Sequence, residues 1–221
     1  MGELILRSNT QQDWVSIIFF INLLFISINL FLDPIRLKRM IKFYATDLYI
    51  TKHTNERNLN YLSIYNLISF LLILNTLCLY IFTLSNYSNE VIKFSSRYYY
   101  LIIALLIFFG IRFLFVKFIT KQISGITQLK LLFFKSFTHN VQFALILFIL
   151  LFCSFYSSIS NVKFVWISSF VGLVWFFYQS RVIIFIFRSK PKEILYIILY
   201  LCTLKIIPWY WIYFFVIEFI L

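Results

Sequence analysis

The stretch "YLCTLKIIPWYW", Tyr200 to Trp211, sets a lysine inside an apolar run and a proline three residues after it. An ammonium held in such a run can bind an anionic group, take part in proton transfer or fix a partner helix. Lys205 lies eleven residues past Ile194, where the run begins. At helical rise that is about 16 Å, near the centre of an apolar layer about 30 Å thick. Two other cations interrupt apolar runs, Arg112 and Arg181, but each lies within reach of a basic loop and can snorkel to it. Pro208 removes its own amide donor and clashes with the carbonyl of Leu204, so carbonyls beside Lys205 become available as acceptors. Lys205 is therefore expected to face the interior of a helix bundle, neutral or hydrogen-bonded. Asn75 and Thr76 lie at similar depth in their own run and are its expected partners. A carboxylate from another subunit is the alternative, and a lysine snorkelling from a wet crevice is the plain structural one.

Other reactive residue types lack the spacing that chemistry needs. Neither His53 nor His139 has Cys, Asp or Glu at ligand spacing, so both read as solvated or interfacial. Cys78, Cys153 and Cys202 each sit alone in an apolar run, which argues against zinc or a disulfide framework. Ser160 and Ser189 open two Ser-x-x-Lys strings, both in short connectors rich in serine and lysine, where chance accounts for them. No Walker loop, GxGxxG, HExxH or GxSxG occurs. The acids Asp13, Asp33, Asp47, Glu56, Glu90, Glu193 and Glu218 fall in loops or at run ends. A proton-coupled carrier usually carries an ionisable relay at mid-depth. No catalytic residue, cofactor or metal site is assigned.

The elements that would position Lys205 follow from hydropathy. The chain has 221 residues, 62% hydrophobic against 13% charged, and mean hydropathy is +0.90. A soluble domain is about 45–50% apolar and about 25% charged, so this chain cannot cover a globule with polar surface. Six apolar runs predict an all-α, polytopic membrane protein of one domain, 1–221, with spans near 14–32, 63–84, 98–117, 141–160, 162–187 and 194–221. Leu37, Met40, Ile41, Tyr44 and Leu48 recur at helical spacing, largely opposite Lys38, Arg39 and Lys42. Segment 35–48 is thus predicted to lie on the membrane surface as an amphipathic helix, and 117–135 to form a second, or to extend the third span into the headgroups, with Gly125 as a bend.

The formal charge of +12 has a topological reading. Loops between runs 1–2, 3–4 and 5–6 hold thirteen Lys and Arg, the opposite side four. The basic side is predicted to face the cytoplasm of a bacterial cell, with a multi-pass chain in the inner membrane and both termini periplasmic. No basic patch with interleaved aromatics stands apart from the spans, so nucleic acid is not expected as a partner.

The string Tyr200, Leu201, Cys202, Thr203, Leu204 and Pro208 resembles the end of an uncharacterised integral membrane protein family from Bacteroidota, domain of unknown function 4271. Asp13-Trp14 before the first run and the basic loop after it are also similar. The resemblance implies an inner-membrane protein without assigned activity. The family commonly carries an acid where this chain has Lys205, so no role is carried over to that position.

The expected function is that of a non-enzymatic accessory or assembly component, with the lipid bilayer and a membrane protein as partners. A small transporter or channel is the alternative, its path lined by Asn22, Asn29, Asn75, Thr76, Gln179 and Lys205. A lipid-acting membrane enzyme is the third reading, without a catalytic set to support it.

Overall fold

The computed structural model describes residues 13–41, 63–85, 96–122, 127–157 and 161–189. Six α-helices account for nearly all of them, and no strand occurs among the described residues. They are α1 (Asp13–Leu32), α2 (Pro34–Ile41), α3 (Ile64–Ser85), α4 (Ser96–Gln122), α5 (Thr127–Tyr156) and α6 (Asn161–Ser189).

Local chemistry sets the breaks. Asp33-Pro34 ends α1, because the residue before proline is pushed out of helical geometry. Proline then serves as the first residue of α2, where its missing N–H costs nothing. The Asp33 carboxylate caps α2 by accepting the Arg36 amide at 2.8 Å. Ser63 caps α3, its hydroxyl accepting the Asn66 amide at 3.3 Å.

The packing partners are α1 with α2 and α3, α3 with α4 and α5, and α5 with α2 and α6. Contacts fix the directions. Trp14 and Tyr98, near the starts of α1 and α4, meet Phe82 near the end of α3. Asn66, near the start of α3, meets Arg36 of α2. Tyr156, at the end of α5, reaches Ser16 near the start of α1. Gln142, in the first half of α5, reaches α2, and Gln179, late in α6, reaches Ser136 of α5. The long helices therefore run up and down in alternation, with α2 at one end of the bundle.

Four helices are long and apolar enough to cross a membrane, over Trp14–Leu32, Ile64–Leu84, Phe134–Tyr156 and Val162–Arg181. These correspond to the first, second, fourth and fifth of the six expected spans. In α4, the third expected span, the described side chains make an apolar stretch over Tyr98–Ile111. The sixth predicted span, 194–221, lies outside the described residues, as do Gly125 and the 42–48 part of the first amphipathic segment. The second amphipathic segment is not a separate helix. Residues 117–122 finish α4, and 127–135 form the first turns of α5, continuous with the apolar part that follows. The fourth run correspondingly starts before 141.

Helix α2 is two-faced, but its apolar face packs on protein, and Ile41, expected on that face, is exposed. Leu37 and Met40 are buried, and Met40 joins Tyr65, Leu72, Ile73, Val141 and Ala144 in one cluster. Ile35, Lys38 and Ile41 face outward.

Candidate functional site

Asn75 sits midway along α3, and the structure ties it to two other helices. Its amide donates to Asn22 Oδ1 of α1 at 2.9 Å, and its carbonyl accepts the Tyr98 hydroxyl of α4 at 3.2 Å. Three helices thus share one side chain, at mid-length on α1 and α3 and at the start of the apolar stretch of α4. Thr76 is fully buried, and its hydroxyl donates to the Leu72 carbonyl one turn back at 2.7 Å. It therefore meets its own bonding need within α3. Lys205 and Pro208 lie outside the described residues, so of the four predicted site residues Asn75 and Thr76 alone have described surroundings.

A second polar group occupies the α2 end. The Arg36 guanidinium lies 4.1 Å over the Tyr65 ring and donates to Asn66 Oδ1 at 2.8 Å. Tyr65 in turn donates to the Met40 thioether at 3.7 Å, and Asn29 donates to Ser69 Oγ at 3.3 Å. Gln142 donates to the Met40 carbonyl at 2.6 Å, which fastens α2 to α5. Its own carbonyl lies 3.1 Å from His139 Nδ1. His139 is only 7% exposed and packs against the Tyr178 ring. The expectation of a solvated or interfacial histidine is corrected accordingly: Gln142, one turn on, gives it a partner inside the protein.

A third group joins α5 to α6. Ser136 donates to Gln179 Oε1 at 2.9 Å. The Gln179 amide donates to Asn140 Oδ1 at 3.0 Å and to the Ser136 carbonyl at 3.3 Å, and Trp175 donates to Asn140 Oδ1 at 3.1 Å. Asn22, Asn29 and Gln179, read together as the lining of a path, fall into three separate groups.

Asn22 Nδ2 and Asn29 Oδ1 are buried with no hydrogen-bond partner among the described residues. They are seven residues apart on α1 and so share a face. Among the described residues no cluster of three or more His, Cys, Asp or Glu is placed to hold a metal. Cys78 and Cys153 are unbridged.

A family model described as "Domain of unknown function (DUF4271)" matches residues 15–216. The chain belongs to this family. No curated protein and no solved structure matches it. The DUF4271 match runs from α1 past Lys205 and Pro208, and so takes in all three polar groups described above.

Residue type alone did not single out Gln142, Ser136, Asn140 or Tyr98. Polar residues near the start of an apolar run normally face water, and only the neighbouring helix shows otherwise. One signal was present: Ser136, His139, Asn140 and Gln142 recur within two turns, denser than a headgroup boundary requires.

Proposed function

We propose that this DUF4271 protein is a multi-pass inner-membrane protein of a bacterium, of the Bacteroidota by resemblance, that serves as a non-enzymatic accessory or assembly component. The observation that carries the reading is where the polar side chains go. Asn22–Asn75–Tyr98, Gln142–Met40 and Ser136–Gln179–Asn140 each bond one helix to another. Side chains used this way fix helix register and leave an apolar outer face for neighbours. Such a face lies along α6, where Trp166, Phe170, Phe176 and Phe177 are exposed.

In this reading the α2 end faces the cytoplasm, both termini are periplasmic, and residues 194–221 form a further span. Lys205 then lies at mid-depth facing the bundle, with Asn75 and Thr76 or a partner's carboxylate as its counterpart. The decisive experiment is affinity purification of the full chain in mild detergent. A stoichiometric membrane-protein partner is expected, and Lys205→Met is expected to weaken its capture. Purification as a lone species overturns the assembly reading. Wild-type binding and membrane level in the Lys205→Met variant would remove Lys205 from it.

A small transporter or channel is the second reading. It is favoured by the two unpartnered atoms, Asn22 Nδ2 and Asn29 Oδ1, on one face of α1. Solute movement in liposomes containing the lone chain would establish it.

A further inference from the structure

Helices α5 and α6 leave a groove of about 300 Å³ between them, open to one side. Its walls are apolar over most of their length, with Phe143 and Ile146 on α5 and Val171 and Val174 on α6. The end nearer α2 is polar, formed by His139 and Tyr178. Gln142, 2% exposed and bonded to His139, backs that end.

The lining follows two helical stripes, and both continue into a cation. On α5 the positions 139, 142 and 146 line the groove, and the preceding position of the same stripe is Lys135. On α6 the positions 171, 174 and 178 line it, and the next is Arg181, which is exposed. Arg181 also closes the stretch of α6 that is apolar enough to cross a membrane, and Lys135 lies one residue inside the start of that of α5. An apolar cleft with a polar end and a cation beyond it on each wall has the sequence of chemistries of a phospholipid: acyl chain, ester region, phosphate.

We propose that this groove is a binding site for one acyl chain of an anionic phospholipid from the leaflet at the α2 end, its phosphate held between Lys135 and Arg181. The site requires only that α5 and α6 span the bilayer and does not depend on the assembly role. Charge complementarity selects the occupant. A zwitterionic lipid fills the cleft equally well but gains less from the two cations, since a basic residue at a membrane surface favours anionic headgroups. A helix in the same place would set its apolar side chains against His139 and Tyr178.

The test uses the full chain, reconstituted in phosphatidylcholine vesicles with phosphatidylglycerol as the minor component. It is then extracted in mild detergent, and the retained lipids are counted by mass spectrometry. The wild-type chain is expected to retain phosphatidylglycerol enriched on the order of tenfold over its share of the bilayer, the scale of preference that two surface cations give. Lys135→Gln with Arg181→Gln keeps the cleft and is expected to abolish the enrichment. Val174→Trp fills the cleft and is expected to remove the retained lipid of either kind. The proposal is overturned if the wild-type chain shows no enrichment, or if the double charge variant keeps it. It is equally overturned if cysteine at position 174 forms a disulfide with cysteines placed along 194–221, or with its counterpart in a second copy, because the groove is then covered by protein. Should the tryptophan variant fail to fold, the charge variant alone decides.

Discussion

Removing the Asn75 amide leaves two partners behind. Asn75→Leu takes a donor from Asn22 and an acceptor from Tyr98, so the loss falls on all three helices. Hydrogen bonds between helices in a membrane contribute about 1 kcal/mol each. We expect Asn75→Leu to destabilise the chain by about 1–2 kcal/mol, read as unfolding in mixed detergent. Asn22→Leu should cost less, because it also removes the Asn22 N–H2 group, which is buried and has no hydrogen-bond partner among the described residues. The double variant should fall short of the sum by about 1 kcal/mol. Strict additivity would mean that the two amides do not interact. Asn75 stood out in the sequence because a free amide in the middle of an apolar run demands a partner. Which partner it takes depends on how three helices are set beside one another, and periodicity within one helix carries no such information.

Among the elements, the long apolar helices were the most legible and α2 the least completely read. The spacing of Leu37, Met40 and Ile41 marked an amphipathic helix. Hydropathy cannot separate a helix lying on lipid from one folded against its own bundle, since both need one apolar face. Met40 decides it: its side chain is buried at 1% exposure and its carbonyl is bonded to Gln142. The same blindness split α5, whose polar first turns read as a surface helix although the backbone runs straight on into apolar residues. A docked α2 behaves differently from an adsorbed one. Salt screens exposed charge over about 10 Å at 0.1 M, but does not screen buried apolar contact. Hydrogen exchange of α2 amides in the full chain should therefore stay slow as salt rises. Asp33→Ala should speed it about fivefold, the loss of a cap worth about 1 kcal/mol. Exchange that accelerates steeply with salt in the wild-type chain would show that α2 is held by charge alone.

For the molecule as a whole, the alternation of helix directions brings the basic residues to one end. Arg36 and Lys38 of α2, the Lys117 end of α4, the Lys130 end of α5 and the Arg188 end of α6 lie at the same end of the bundle. Arg97 and Lys163 belong to the opposite end. An impermeant thiol reagent added to intact cells should label cysteine placed at Ser88 and spare cysteine placed at Lys52, as the excess of Lys and Arg on one side requires. The reverse pattern would invert the orientation.

The two ends are also held by different forces. At the α2 end the helices meet through directed bonds between Arg36 and Asn66, Gln142 and Met40, and Gln179 and Ser136. At the other end rings predominate, Trp14 with Phe82 and Tyr98, and Phe19 with Phe148 and Phe155, beside a single bond between Ser16 and Tyr156. A hydrogen bond weakens steeply once bent, whereas edge-to-face rings tolerate small shifts at little cost. The bundle is thus a fan pinned at its handle. When a thinner bilayer makes its helices tilt, the pinned end acts as the pivot and the splay appears at the ringed end. Spin labels on α3 and α6 beside Tyr80 and Phe164, which meet through their rings, should then move apart as lipid tails shorten, while a pair beside Met40 and Gln142 keeps its separation; equal change at both ends would show that the pin does not hold.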